Sequence, residues 1–124
     1  MFDIPDLMRT AQDLARHSGA RQTVIAQNIA QADTPGYRAR DLPPFHTQAD
    51  RALAATRPTH LDASARPADL TPHTDRSAPA LSPNGNTVSL EGQMMQAAQT
   101  RQAHEMALST YTSARAILRT AMGR

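Results

Sequence analysis

Between Asp6 and Ala32, small or apolar residues return in steps of three, four or seven, at Leu7, Ala11, Leu14, Ser18, Ile25, Ile29 and Ala32, while Asp13, Arg16 and Gln27 fall off that line. This is the spacing of one face of an α-helix, interrupted near Arg21 and Gln22. Pro5 and Asp6 suit its start, Asp6 as cap or first-turn acid. Its stop is written in Asp33-Thr34-Pro35-Gly36-Tyr37. Pro35 has no amide proton and turns Thr34 away from helical angles, and Pro-Gly fits the two central positions of a type II turn. A second periodic stretch follows Pro83-Asn84-Gly85-Asn86, a turn signal, and Thr87-Val88-Ser89, which offers caps. Leu90, Met94, Ala97, His104, Leu108, Tyr111, Ile117, Leu118 and Met122 fall mostly on a three-four pattern broken at Arg101 and Arg115.

Between the two helices the pattern is lost. Eight of the nine prolines lie from Pro35 to Pro83, and Leu42, Phe45, Leu53, Leu61, Leu70 and Leu81 are too scattered to define a period. A stretch such as Leu70 to Pro79 has too little apolar surface to offset its ordering entropy, so the middle is expected to be extended or disordered, with a short helix at 48–56. The expected fold is all-α: two long terminal helices packing as a coiled-coil-like pair, joined by a Pro-rich middle. The divisions are residues 1–37, 38–87 and 88–124.

Composition changes this picture in one respect. Hydrophobic residues make up 40% of the 124, but aromatics only 3%, and Trp is absent. Alanine dominates the apolar class, and at about 25 cal/mol per Å² it contributes little area to a core. An antiparallel hairpin or a two-stranded coiled coil would bury both stripes, yet one pair alone is marginal, so further partners are the natural remedy. The isolated chain in dilute solution is expected to be monomeric and poorly helical.

Charge and candidate chemistry exclude more than they suggest. All 13 basic residues are Arg, against 11 acids, a formal net charge of +2 that implies no strong nucleic-acid binding. The runner-up reading, a small basic nucleic-acid-binding or export-adaptor protein using Arg101, Arg115, Arg119 and Arg124, lacks an aromatic stacking surface. With no Cys there is neither a disulfide nor a thiolate metal site. His104-Glu105-Met106-Ala107-Leu108 has Leu where the zinc motif H-E-x-x-H has its second ligand. Glu91 and Glu105 lie roughly 21 Å apart along a helix, too far to share a glycosidic bond. No enzyme, cofactor or metal site is expected. Acidic residues open the chain where a secretory signal carries positive charge, and no long apolar run follows, so neither a cleaved signal nor direct membrane insertion is expected.

The run Asn28-Ile29-Ala30-Gln31-Ala32-Asp33-Thr34-Pro35-Gly36-Tyr37, followed by Arg38-Ala39-Arg40-Asp41, resembles the N-terminal signature of the bacterial flagellar axial proteins, in which N-I-A-N-A-x-T-P-G-Y closes the first helix. Gln31 stands where Asn is usual. The Ala-Asp-Thr-Pro-Gly-Tyr form and the segment Gly85 to Glu91 resemble the FlgB-type branch of the basal-body rod family, with Thr87 and Ser89 in place of an Asn and an Asp often seen there. The resemblance covers about residues 20–41 and 84–124. It implies a structural subunit of the periplasmic proximal rod of the flagellar basal body, passed by the flagellar type III export apparatus. Its partners would be copies of itself and other rod and rod-base proteins, with no nucleic acid. The residues expected at its assembly interface are Leu7, Leu14, Ile25, Asn28, Ile29, Pro35, Gly36, Tyr37, Leu90, Met94, Leu108, Tyr111 and Leu118, and Tyr37, Arg38 and Arg40 are expected to touch neighbouring subunits.

Overall fold

A computed structural model describes residues 4–47, 70–74 and 79–123. The helix expected at 48–56 lies outside the described residues. The first helix, α1, spans Ile4–Ala30, and the second, α2, spans Leu90–Ala121. Both stand where the hydrophobic spacing put them. Pro5 sits in the first turn of α1, where no amide proton is needed, and Asp6 faces the positive end of the helix dipole. At the other end the amide of Gln31 is shared between Gln27 O and Asn28 O, and Ala32 N reaches Ile29 O, so the helix tightens before it stops. Gly36 then takes φ +70°, the left-handed value that position i+2 of a type II turn requires, and Tyr37 N bonds Thr34 O at 3.3 Å. Ser89 caps α2, its hydroxyl accepting from Gly92 N at 3.2 Å.

The two helices run antiparallel. Asn28 near the end of α1 bonds Gln93 near the start of α2, and farther along Ala15 O meets the His104 ring. Their contact has a seven-residue rhythm: Ala11, Ser18 and Ile25 are buried on α1, and Gln93, Thr100, Ala107 and Ala114 on α2. The expected stripe of α2 therefore differs from the face it turns to α1, because Leu90, Met94 and Leu108 are exposed. The reason is steric. Small side chains let two antiparallel helices approach closely, whereas a seam of Leu and Met would hold them apart.

The segment after the turn runs back along α1. Within it, β1 (Arg40–Asp41) pairs antiparallel with β2 (His73–Thr74), Arg40 opposite Thr74 and Asp41 opposite His73. Leu42 from this segment and Val88 from the approach to α2 join Val24 and Ile25 as the larger buried apolar side chains; the other buried apolar residues among the described ones are Ala11, Ala107 and Ala114. The better core thus lies at the end that holds the turns, and alanine carries the other.

Candidate functional site

The two turn signals of the sequence meet in space. Gly36 N donates to Asn84 O at 2.9 Å, and a Cβ placed on Gly85 (φ +81°) would lie 3.8 Å from the Gly36 Cα. Gly85 N closes its own turn onto Ser82 O at 3.0 Å. The joint is sealed by Asn86, 1% exposed, whose carboxamide nitrogen donates to Gln31 O, Ala32 O and Thr34 O at 3.0, 2.7 and 2.8 Å. Gln31 O and Thr34 O also accept from Thr34 N and Tyr37 N, whereas Ala32 O, just past the end of α1, has its donor in Asn86, more than fifty positions away. The Asn86 oxygen accepts from Val88 N at 2.8 Å, so the same side chain holds the backbone entering α2. Two further bonds lock the legs of the connection: Thr87 N to Tyr37 O at 3.1 Å, and Ala39 N to the Thr87 hydroxyl at 2.9 Å.

Asn28 is the second hub and is wholly buried. Its oxygen accepts from Arg40 N at 3.0 Å and from the Tyr37 hydroxyl at 3.2 Å, and its nitrogen donates to Arg40 O at 2.7 Å and Gln93 Oε1 at 2.9 Å. All four hydrogen-bonding positions of the carboxamide are used. Asn28 thereby treats Arg40 as a strand partner would, and ties three parts of the chain at one point. The post-turn segment is held at two more places. Arg21 and Asp41 pair through two bonds of 2.8 and 2.6 Å, and the buried His17 ring contacts Pro43 O at 2.8 Å and packs 5.6 Å from the Phe45 ring. Hydrogen bonding to Asp41 raises the Arg21 pKa, burial opposes the rise, and the charge attraction to Asp41 adds to it.

The residues expected at an assembly interface divide into three sets. Ile25 and Asn28 face inward, and Leu14, Ile29, Tyr37, Tyr111 and Leu118 are half-buried. Leu7, Pro35, Gly36, Leu90, Met94 and Leu108 are exposed. Tyr37, expected against neighbours, directs its hydroxyl to Asn28, while Arg38 and Arg40 are exposed. Sequence reasoning missed Asn86 and Gln93 as internal ties. Asn86 was visible only as a turn residue, and Gln93 only as a polar break in a stripe. The seven-residue recurrence of Gln93, Thr100, Ala107 and Ala114 was the available signal.

The outer surface of α2 is unusually apolar for a helix already paired. Leu90, Met94 and Leu108 lie on one flank, and Met95, Met106 and Ile117 on the other, all about half exposed or more. Among the described residues no group of three or more His, Asp or Glu could hold a metal ion, and no helix is long and apolar enough to cross a membrane. The arrangement leaves apolar side chains exposed along two flanks of α2. Its buried Asn28, Asn86 and Gln93 side chains hold the chain to itself.

No model of a known protein family matches the chain. Among curated proteins it is 34% identical over 120 residues to the flagellar basal body rod protein FlgB of Escherichia coli (strain K12), with 82% of each chain covered. The FlgB of Shigella flexneri gives the same figures, 34% over 120 residues and 82% of each chain. That of Agrobacterium fabrum (strain C58 / ATCC 33970) is 27% identical over 114 residues, covering 86% of this chain and 85% of its own.

Proposed function

The chain belongs to the FlgB family of flagellar basal-body rod proteins, and from that premise we propose that it is a structural, non-catalytic subunit of the proximal rod, transmitting torque across the periplasm within a helical assembly. One observation carries the reading. The inner face of α2 is made of small or polar side chains, while six of its large apolar ones, Leu90, Met94, Met95, Met106, Leu108 and Ile117, remain exposed on two flanks. Large apolar side chains left in the open on a helix whose inner face is made of small ones suit contact with a partner. Surfaces on two flanks suit a subunit with neighbours on both sides. The partners would be copies of the chain and other rod and rod-base proteins, with the exposed Leu7, Leu90, Met94 and Leu108 contributing the contacts while the buried Ile25 and Asn28 hold the chain to itself. Pro35, Gly36 and Tyr37 would serve indirectly, by fixing the direction in which the chain leaves α1.

Delivery through the flagellar type III export apparatus fits the same physics. A chain without cysteine and with few large buried apolar side chains among its described residues resists unfolding weakly, and contacts made on assembly would supply the remaining stability. The test is deletion of the gene followed by fractionation of basal bodies. Loss of the rod above an intact membrane ring is expected, whereas complete rods in the deletion strain would overturn the proposal.

A further inference from the structure

We propose that Asn84-Gly85 is a site of spontaneous deamidation, silent while the two turns are joined and reactive when they part, so that a chain left unfolded ages into one that cannot close the joint. The inference stands apart from the rod reading and concerns the chain before its fold is set.

The chain has three asparagines. Asn28 is wholly buried and precedes Ile29, and Asn86 is 1% exposed and precedes Thr87. Asn84 alone is exposed and precedes a glycine. The glycine matters because the attacking atom is the next amide nitrogen, and a β-carbon there would obstruct its approach. The Gly85 nitrogen bonds to Asn84 Cγ, its proton leaves with the side-chain amine as ammonia, and a five-membered imide closes within one molecule. Water then opens the ring at either carbonyl. One opening gives aspartate; the other gives isoaspartate, in which the main chain runs through the β-carbon and the α-carboxylate hangs free. In sum an amide and water become a carboxylate and ammonium, with no oxidant, reductant or cofactor.

The fold restrains this reaction at a single peptide group. Ring closure requires the unit between Asn84 and Gly85 to rotate until its nitrogen faces Cγ, and that nitrogen to give up its proton. Both ends of the unit are pinned: Asn84 O accepts from Gly36 N at 2.9 Å, and Gly85 N donates to Ser82 O at 3.0 Å. The carboxamide is fixed as well, since Asn84 Oδ1 accepts from Asn86 N at 3.1 Å. One of these clamps, Gly36, belongs to the other turn. Protection therefore depends on the joint and not on the local turn alone.

Isoaspartate would put one more atom, about 1.5 Å of chain, between residue 84 and Gly85. The joint has no slack for it. A Cβ on Gly85 would already lie 3.8 Å from the Gly36 Cα, and Asn86, next in line, holds Gln31 O, Ala32 O and Thr34 O at 3.0, 2.7 and 2.8 Å.

The purified chain is incubated at one neutral pH and temperature in urea, which undoes the fold, and in trimethylamine N-oxide, which populates it, with helicity followed by circular dichroism. A free peptide of residues 80–90 gives the unprotected rate in each solvent. After cleavage at arginine, fragmentation mass spectrometry of peptide 77–101 reads the change from amide to acid, and enzymatic methylation reads isoaspartate. Conversion is expected at Asn84 alone, at the free-peptide rate in urea and at least about tenfold slower in the folded chain. Asn86→Ala should lose that protection. The aged chain should not regain helicity on return to trimethylamine N-oxide, whereas Asn84→Asp, with an ordinary backbone and an acceptor for Asn86 N, should regain it. Equal rates in the folded chain and the free peptide would overturn the gating by the joint. An aged chain that refolds as Asn84→Asp does would overturn its consequence. Either failure leaves the rod reading intact, since the deletion experiment decides that separately.

Discussion

Replacing Asn86 by Ala isolates the joint between the two turns. The substitution removes two amide donors that serve Gln31 O, Ala32 O and Thr34 O, and the acceptor that serves Val88 N. The loss is uneven. Gln31 O still accepts from Thr34 N, and Thr34 O from Tyr37 N. Ala32 O and Val88 N lose the partner that the joint provides, and Val88 is buried. Stranding a buried backbone group costs about 1–3 kcal/mol, so two of them place the effect at roughly 3 kcal/mol, about a hundredfold in the folded-to-unfolded ratio. That is a large share of the stability of any small domain. The measurement is helicity by far-UV circular dichroism, with trimethylamine N-oxide added to populate the fold and urea to reverse it. Asn86→Asp separates the halves of the effect, since it keeps an acceptor for Val88 N and offers the α1 carbonyls only negative charge; it should be at least as damaging as Ala. A shift below about 0.5 kcal/mol for both variants would refute the assignment of Asn86 as the seal.

Four further outcomes are expected. Leu108→Asp, at a position 49% exposed, should leave synthesis and helix pairing intact and abolish assembly, so normal swimming of the mutant would contradict the surface assignment. Gly36→Ala should destabilise by about 1–2 kcal/mol because of its left-handed backbone, with Gly36→Asn milder; equal urea midpoints for all three chains, with trimethylamine N-oxide populating the fold, would show that the turn is not held as described. Arg21→Gln should cost only about 0.5–1 kcal/mol, because its pair with Asp41 is about one-third exposed and partly screened. A raised guanidinium pKa contributes fully below the free group's value and is lost only as pH climbs through the folded one, so the Arg21→Gln difference should not change between pH 6 and 9 on that account; a steep change there would assign the effect to another group. Finally, ultracentrifugation and circular dichroism of the dilute chain should find a poorly helical monomer, and a cooperative, strongly helical one would count against stabilisation by neighbours.

The long elements were legible because their signals are local and redundant. α1 was expected over 6–32 and is found at Ile4–Ala30, and Ser89 was among the expected caps of α2. Both turns were visible because Pro35-Gly36 and Asn84-Gly85 leave the backbone few alternatives. Hidden was the meeting of those turns, since nothing in Asn86 itself announces that three distant carbonyls await it. The inward face of α2 was obscured for a related reason. Hydrophobic periodicity ranks Leu and Met above Ala and Thr, and so follows the large side chains to the outside of a pair whose inside is chosen for closeness. Asn28 was placed at an expected interface by resemblance, and its role as a tie between Arg40, Tyr37 and Gln93 emerges only from the geometry.

The bonds between Thr87 and the Tyr37–Ala39 stretch bring the departing and returning legs of the connection side by side. What is strung between them is therefore a closed bight, fastened to α1 at Arg40, Asp41 and Pro43. Lengthening such a bight costs little, about 0.6 kcal/mol for each doubling. An epitope spliced into the connection would therefore leave the bonds of Asn28, Asn86 and Thr87 that clasp the two helices in place, and the chain would carry a label without redesign of the shaft to which it is fastened.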